Sequence, residues 1–180
     1  MKFNKEGAPA EALYEWWEDL QEIESPKNQK RPRRLDRAGR ATLRRCATIA
    51  QITGVPAYQH LCRRLQQKGW SASSLAQNDR LAAVAGLLAH VKEDDEQPLA
   101  KTMSACAEGS DQPKVSTLRF MRLLDSPDLE TIFTGLRRVL PLMKHKANVK
   151  ALAEDLIYWG DKVKKEWAYS YDWPDKSGDA

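Results

Sequence analysis

The chain has 180 residues, with 29 Lys or Arg against 25 Asp or Glu, a net charge of +4 and 42% apolar residues. That balance excludes a disordered tail, and no apolar run approaches the roughly 18 to 20 residues that span a bilayer. The length suits one large domain or two small lobes on a shared core, enough to fold without disulfides or a metal.

Read in chain order, the apolar pattern is helical almost throughout. Leu13, Trp16, Trp17, Leu20 and Ile23 fall at steps of three and four, one face of a first helix. A basic linker over 27–34, with Pro26 and Pro32, ends it. Asp36 is placed to cap a second helix running to about residue 52, with Leu43, Ala47 and Ala50 on its buried side. Gly54-Val55-Pro56 breaks the pattern, and Pro56 suits the first turn of a third helix whose Tyr58, Leu61 and Leu65 face inward. Gly69 stops that helix and Trp70 packs back. Leu81, Val84, Ala85, Leu88 and Val91 give a fourth helix, which ends in the acidic run 93–96. Pro98 opens a short fifth helix to about residue 106.

The polar turn 108–113 is the best lobe boundary. A sixth helix buries Phe120, Leu123 and Leu124. Ser126-Pro127-Asp128 reads as stop, N-cap and proline at the first helical position. The seventh helix carries Leu129, Ile132, Phe133, Leu136, Val139 and Leu140, and Pro141 terminates or kinks it. Asn148 caps an eighth helix with Leu152, Leu156, Trp159, Val163 and Trp167 on one stripe. No segment alternates with period two. The expectation is an all-α protein of about eight helices in a two-lobed bundle, with lobes 10–107 and 108–173 forming one compact unit.

Charge is distributed unevenly. Residues 27–68 hold twelve Lys or Arg and one acid, net +11, whereas 1–26 is net −5 and 69–180 is net −2. Such a concentration raises a local potential that polyanions feel at a distance, which points to nucleic acid. On the second helix Arg37, Arg40 and Arg44 lie within roughly 60° of one another, and Arg45 flanks them. An Arg ridge beside a buried edge suits a phosphate backbone, because the planar guanidinium pairs phosphate oxygens two at a time. An ordinary solvated face mixes signs; this one has no acid from Arg37 to Lys68.

A second basic cluster is C-terminal: Arg119 and Arg122 on one side of the sixth helix, Arg137 and Arg138 on the polar side of the seventh. Lys144, Lys146, Lys150, Lys162, Lys164 and Lys165 follow. Helices packed side by side would join these in one groove. The alternative is that Arg119 and Arg122 pair locally with Asp125 or Glu130, and that lysines near helix ends answer the dipole.

Trp16, Trp17, Trp159 and Trp167 fall on apolar stripes and read as core, which favours gripping backbone over stacking bases. Cys46, Cys62 and Cys106 are odd in number, form no Cys-x-x-Cys and read as reduced, small core residues. His60, His90 and His145 have no metal-ligand spacing. No Gly-rich phosphate loop or Gly-x-Ser-x-Gly occurs, so neither an enzyme nor a cofactor is expected. The start, Met1-Lys2-Phe3-Asn4, lacks an apolar signal segment, so a cytoplasmic protein with no membrane partner is expected.

Five motifs stand in order: Ala12-Leu13-Tyr14-Glu15-Trp16-Trp17; Asp36-Arg37-Ala38-Gly39-Arg40-Ala41-Thr42-Leu43-Arg44-Arg45; Leu118-Arg119-Phe120-Met121-Arg122-Leu123-Leu124; Gly135-Leu136-Arg137-Arg138-Val139-Leu140; and Tyr158-Trp159-Gly160. Pro56-Ala57-Tyr58 and Gly69-Trp70 lie between them. Over roughly 10–173 this order resembles the CasB family, the small subunit of the type I-E CRISPR Cascade surveillance complex. The resemblance implies an all-helical, non-catalytic subunit present in two copies, touching the repeated backbone subunits and the large subunit. Its basic surface would hold the displaced non-target DNA strand and steady the heteroduplex of guide RNA and target DNA. It places phosphate-binding bases at Arg45, Arg119, Arg137 or Arg138, and Lys162, with Arg80 a looser match. The family tends to have a base after Trp-Gly; Asp161 stands here, and Lys162 and Lys164 would take over.

Two rival readings accompany this one. A free-standing regulator would use the second and third helices as a helix-turn-helix, with Arg63 and Arg64 on the latter. A scaffold would turn the basic face to an acidic protein.

Overall fold

The computed structural model describes residues 2–21 and 37–174. Asp36, Ile23 and the 27–34 linker, expected as cap, stripe and basic connection, lie outside the described residues. The described residues form ten α-helices: α1 (Ala8–Gln21), α2 (Arg37–Arg45), α3 (Ile49–Thr53), α4 (Pro56–Gln67), α5 (Leu75–Leu88), α6 (Leu99–Ser104), α7 (Thr117–Leu124), α8 (Leu129–Val139), α9 (Val149–Ile157) and α10 (Asp161–Ser170). The only strands among them are β1 (Glu93–Asp94) and β2 (Lys146–Ala147), paired in parallel with Glu93 opposite Lys146. The chain is all-α in class, with that short ladder added.

The helix α5 is the axis of the molecule. Ser74 caps it by accepting from the Gln77 amide, and every residue from Leu81 to Leu88 is buried. It packs on α2, α3, α4, α8 and α9. Gly86 makes the close approach possible: a Cβ there would lie 2.5 Å from Ile52 Cδ1 and 3.0 Å from Phe133. One apolar core therefore includes residues from both halves of the sequence. Around it α1 packs on α4 and α9. The tryptophans of α1 are fully buried, and each indole N–H finds a carbonyl, Trp16 donating to Ala57 O (3.0 Å) and Trp17 to Val91 O (3.3 Å). Trp70, Trp159 and Trp167 are buried as expected.

Two expected helices are each broken in two, which turns about eight into ten. The second stops at Arg45, and α3 starts at Ile49 in a new phase. The Gln51 carboxamide accepts from the Ala47 amide at 2.7 Å and from the Thr48 amide, stabilising the break as half of a capping box. Ile49 and Ile52 therefore face the core, while Ala47 and Ala50, expected inside, are exposed. The eighth expected helix breaks at Tyr158-Trp159-Gly160 into α9 and α10.

Smaller boundaries also shift. Asp128, not Ser126, is the N-cap of α8 and accepts from the Thr131 amide at 2.8 Å, so Pro127 precedes the cap. α8 ends at Val139, and Pro141 sits in a 3-10 turn over Leu140–Met143. Asn148 caps α9 as expected, accepting from the Ala151 amide. Cys46 is buried, but Cys62 is half-buried and Cys106 exposed, so only the first is a core cysteine.

Candidate nucleic-acid interface

α7 and α8 pack side by side, and Gly135 brings them close: a Cβ there would sit 2.6 Å from Leu123 Cδ2. Between them runs an open groove of about 630 Å3. Arg119 and Arg122 of α7 and Arg138 of α8 line it, together with the buried Leu123 and Val139, Gly135, Leu142, Thr131, Thr134 and Glu130. Six α8 residues line it, 130, 131, 134, 135, 138 and 139, whose pairs at steps of three and four make one helical stripe. All three arginines are exposed. Among the described residues none has a carboxylate within ion-pair distance. The local pairing with Asp125 or Glu130 does not form; Glu130 Oε1 instead accepts from the Ile49 amide at the start of α3, at 2.9 Å.

Arg137 takes the opposite course from its neighbour. Expected on the polar side of α8 beside Arg138, it is half-buried over the Phe133 ring, 5.4 Å from the centroid. Its guanidinium donates to Cys46 O at 2.7 Å and Arg44 O at 3.0 Å, carbonyls at the C-terminal end of α2. Arg80, proposed from the resemblance as a phosphate ligand, is half-buried and donates to Ile157 O (3.1 Å) and Trp159 O (2.8 Å), at the end of α9. Arg40 donates Nε–H to Ala89 O at 3.1 Å, the cap residue of α5. Lys164 donates to Ser126 O at 3.0 Å, just past α7, and lies over the Trp159 ring. Each of these four cations answers the unsatisfied carbonyls and negative dipole at a helix C-terminus. The structure gives them an internal task that their sequence positions did not announce.

The rest of the C-terminal cluster does not join the groove as one surface. Lys144 is paired with Glu108 and Lys150 with Glu11; Lys146 Nζ lies 2.9 Å from Glu93 and Lys162 Nζ 3.5 Å from Glu166. On α2, Arg44 and Arg45 are exposed and with Ala41 and His90 line a second, shallower hollow of about 340 Å3. Arg37 opens this helix, but its side chain lies outside the described residues. Arg137 ties the end of α2 to α8, the helix that also carries Arg138.

His90 was set aside as a metal ligand and has another significance. Burial, then the Arg137 and Arg44 charges, His145 and Arg40, push its imidazole down to about 4. Burial, then Lys92, likewise lowers His145. His90 is neutral at pH 7, so the positive potential of this face there comes from arginine.

For the regulator alternative, Gly54 has φ −84°, an ordinary right-handed value. On α4, Arg64 is held by Asp19, and Gln59 donates to Thr53 O, whereas Arg63 is exposed. Among the described residues no group of His, Cys, Asp and Glu could hold a metal, and no helix is long and apolar enough to cross a membrane.

The fold and this surface define an all-helical protein with an arginine-lined groove. The family model for CRISPR-associated protein Cse2 matches residues 39–171. The chain belongs to that family. In fold it is similar to a chain in the crystal structure of E. coli Cascade bound to a PAM-containing dsDNA target, with a TM-score of 0.59, 16% identity, and coverage of 88% of this chain and 93% of that one. A search of curated proteins gives no match.

Proposed function

We propose that the chain is a non-catalytic small subunit of a CRISPR RNA-guided surveillance complex, and that it grips nucleic-acid backbone through arginines to stabilise the R-loop. The observation that carries this reading is the convergence of Arg119, Arg122 and Arg138, exposed and without carboxylate partners, on one groove. Membership of the Cse2 family and a fold like that of a chain in a DNA-bound Cascade support it. Arg44 and Arg45 extend the contact set along α2, and Lys162 joins it by the family resemblance alone. Arg37 belongs to the same ridge by sequence. Arg40, Arg80, Arg137 and Lys164 act from within, holding the helices that carry the contacts. The partners in this reading are the displaced single strand of target DNA, the guide RNA with its target strand, the repeated backbone subunit, the large subunit and a second copy of this chain.

The energetics suit the role. Opening a DNA duplex to form a guide–target duplex exchanges structures of similar stability, so a few backbone contacts tip the balance. The test is the R-loop lifetime of the assembled complex carrying Arg119→Glu with Arg138→Glu. Both side chains are exposed, so assembly persists, and the lifetime shortens. An unchanged lifetime in a properly assembled complex overturns the assignment of the groove.

A further inference from the structure

We propose that the groove between α7 and α8 seats one unstacked nucleotide, with phosphate on the rim arginines, the base on the aliphatic lining, and Glu130 accepting from the base's exocyclic amine. This rests on the reading of the chain as a backbone binder and adds base recognition to it.

Three features of the groove exceed what a phosphate track needs. First is its size. At about 630 Å3 it falls within the ~300–1,000 Å3 range of small-molecule sites, and phosphates on the rim leave most of it empty. Second is its lining. The exposed Leu142 belongs to it together with the buried Leu123 and Val139, so a flat ring meets aliphatic carbon as well as charge. Guanidinium planes at the rim both pair phosphate oxygens and stack on flat rings. Third is the carboxylate. Glu130 stands in a groove with three arginines yet pairs with none of them, and only its Oε1 has a partner, the Ile49 amide at 2.9 Å. A carboxylate repels phosphate, but it is a good acceptor for the amino group of cytosine or adenine. Thymine and uracil present a carbonyl at the equivalent position, which Glu130 disfavours.

The test is fluorescence anisotropy of the full chain with three single strands of equal length and charge: all-dC, all-dT, and an abasic strand. The dC strand is expected to bind about fivefold tighter than dT and about tenfold tighter than the abasic strand. Glu130→Gln keeps an oxygen for the Ile49 amide but turns an N–H2 into the groove, so it erases or inverts the dC-over-dT preference while the salt dependence persists. Equal affinities for dC and the abasic strand, with strong salt dependence, overturn the base site and leave the backbone reading intact. A dC-over-dT preference unchanged by Glu130→Gln overturns the role of that carboxylate. Absence of salt-dependent binding to any strand overturns both.

Discussion

Arg137 and Arg138 are neighbours on α8 with opposite fates. Arg137 turns inward to two carbonyls at the end of α2, while Arg138 stays exposed in the groove with Arg119 and Arg122. The same division runs through the whole basic inventory. Arg40, Arg80 and Lys164 join Arg137 in fastening helix C-termini, and Arg44 and Arg45 join Arg138 on the surface. This basic protein thus spends part of its charge on its own helix ends, and in the proposed reading only the remainder meets nucleic acid. Net charge overstates the exposed, unpaired positive surface for that reason.

The largest effect that sharpens this comparison is expected from Arg119→Ala, Arg122→Ala and Arg138→Ala combined. If each arginine meets a phosphate, the slope of log affinity against log salt for a single strand shrinks by about 2. The melting temperature stays where it was, because none of the three holds another element. Filter binding across a salt series together with a thermal melt reads both quantities.

Arg80→Ala is expected to do the reverse. Two charge-assisted bonds to the end of α9 disappear, leaving carbonyls unsatisfied, for a loss of about 2–3 kcal/mol. In a chain of this size the melting temperature falls by roughly 5–10 °C. The salt slope for strands is unchanged. A shallower slope for this variant at temperatures where it is folded would move Arg80 back among the phosphate ligands.

A smaller effect concerns pH. Burial raises the Asp155 carboxyl to about 6, against the Trp167 indole N–H that donates to it at 2.7 Å. Between about pH 4 and 6 the folded chain holds a proton that the unfolded chain has released, so this group's contribution to stability falls as pH rises. His90 acts in the opposite sense. Its folded value of about 4 lies below the unfolded 6.5, so the unfolded chain binds the extra proton and stability rises with pH over that interval. The two limbs oppose each other in one window. Asp155→Asn is expected to leave a stability that climbs from pH 4 to 6.5, and His90→Gln to weaken that climb. Urea midpoints measured across this range check both signs.

Much of the fold was legible because helix periodicity is local. The stripes of α1, α4, α7 and α8, the Asn148 cap and the stop at Pro141 follow from residues within a turn or two of one another. The break at 46–48 was also written locally, as Thr48-x-x-Gln51 ahead of Ile49 and Ile52, but the long Arg-rich pattern masked it. The break at 158–160 was less open to reading, since Arg80, 79 positions upstream of Trp159, grips it. For the site, Arg119, Arg122 and Arg138 were legible as exposed bases on helix faces. Their groove was not, because it depends on α7 meeting α8 over Gly135. Thr131 and Thr134 were passed over, although they share a helical stripe with Arg138, and Glu130 was read only as a partner for Arg119 or Arg122. Which arginines turn inward depends on which carbonyl folding brings within hydrogen-bond reach, and no spacing rule encodes that.

The most direct test compares Arg137→Ala with Arg138→Ala, one residue apart. Melting temperature and strand affinity would be measured for each across a salt series. The expected result is a clean exchange: Arg137→Ala melts several degrees lower with its salt slope intact, and Arg138→Ala melts like the parent with a slope shallower by about 0.7. Two variants that lose the same property, whichever it is, would contradict the division of the arginines into those that hold the fold and those that meet the strand.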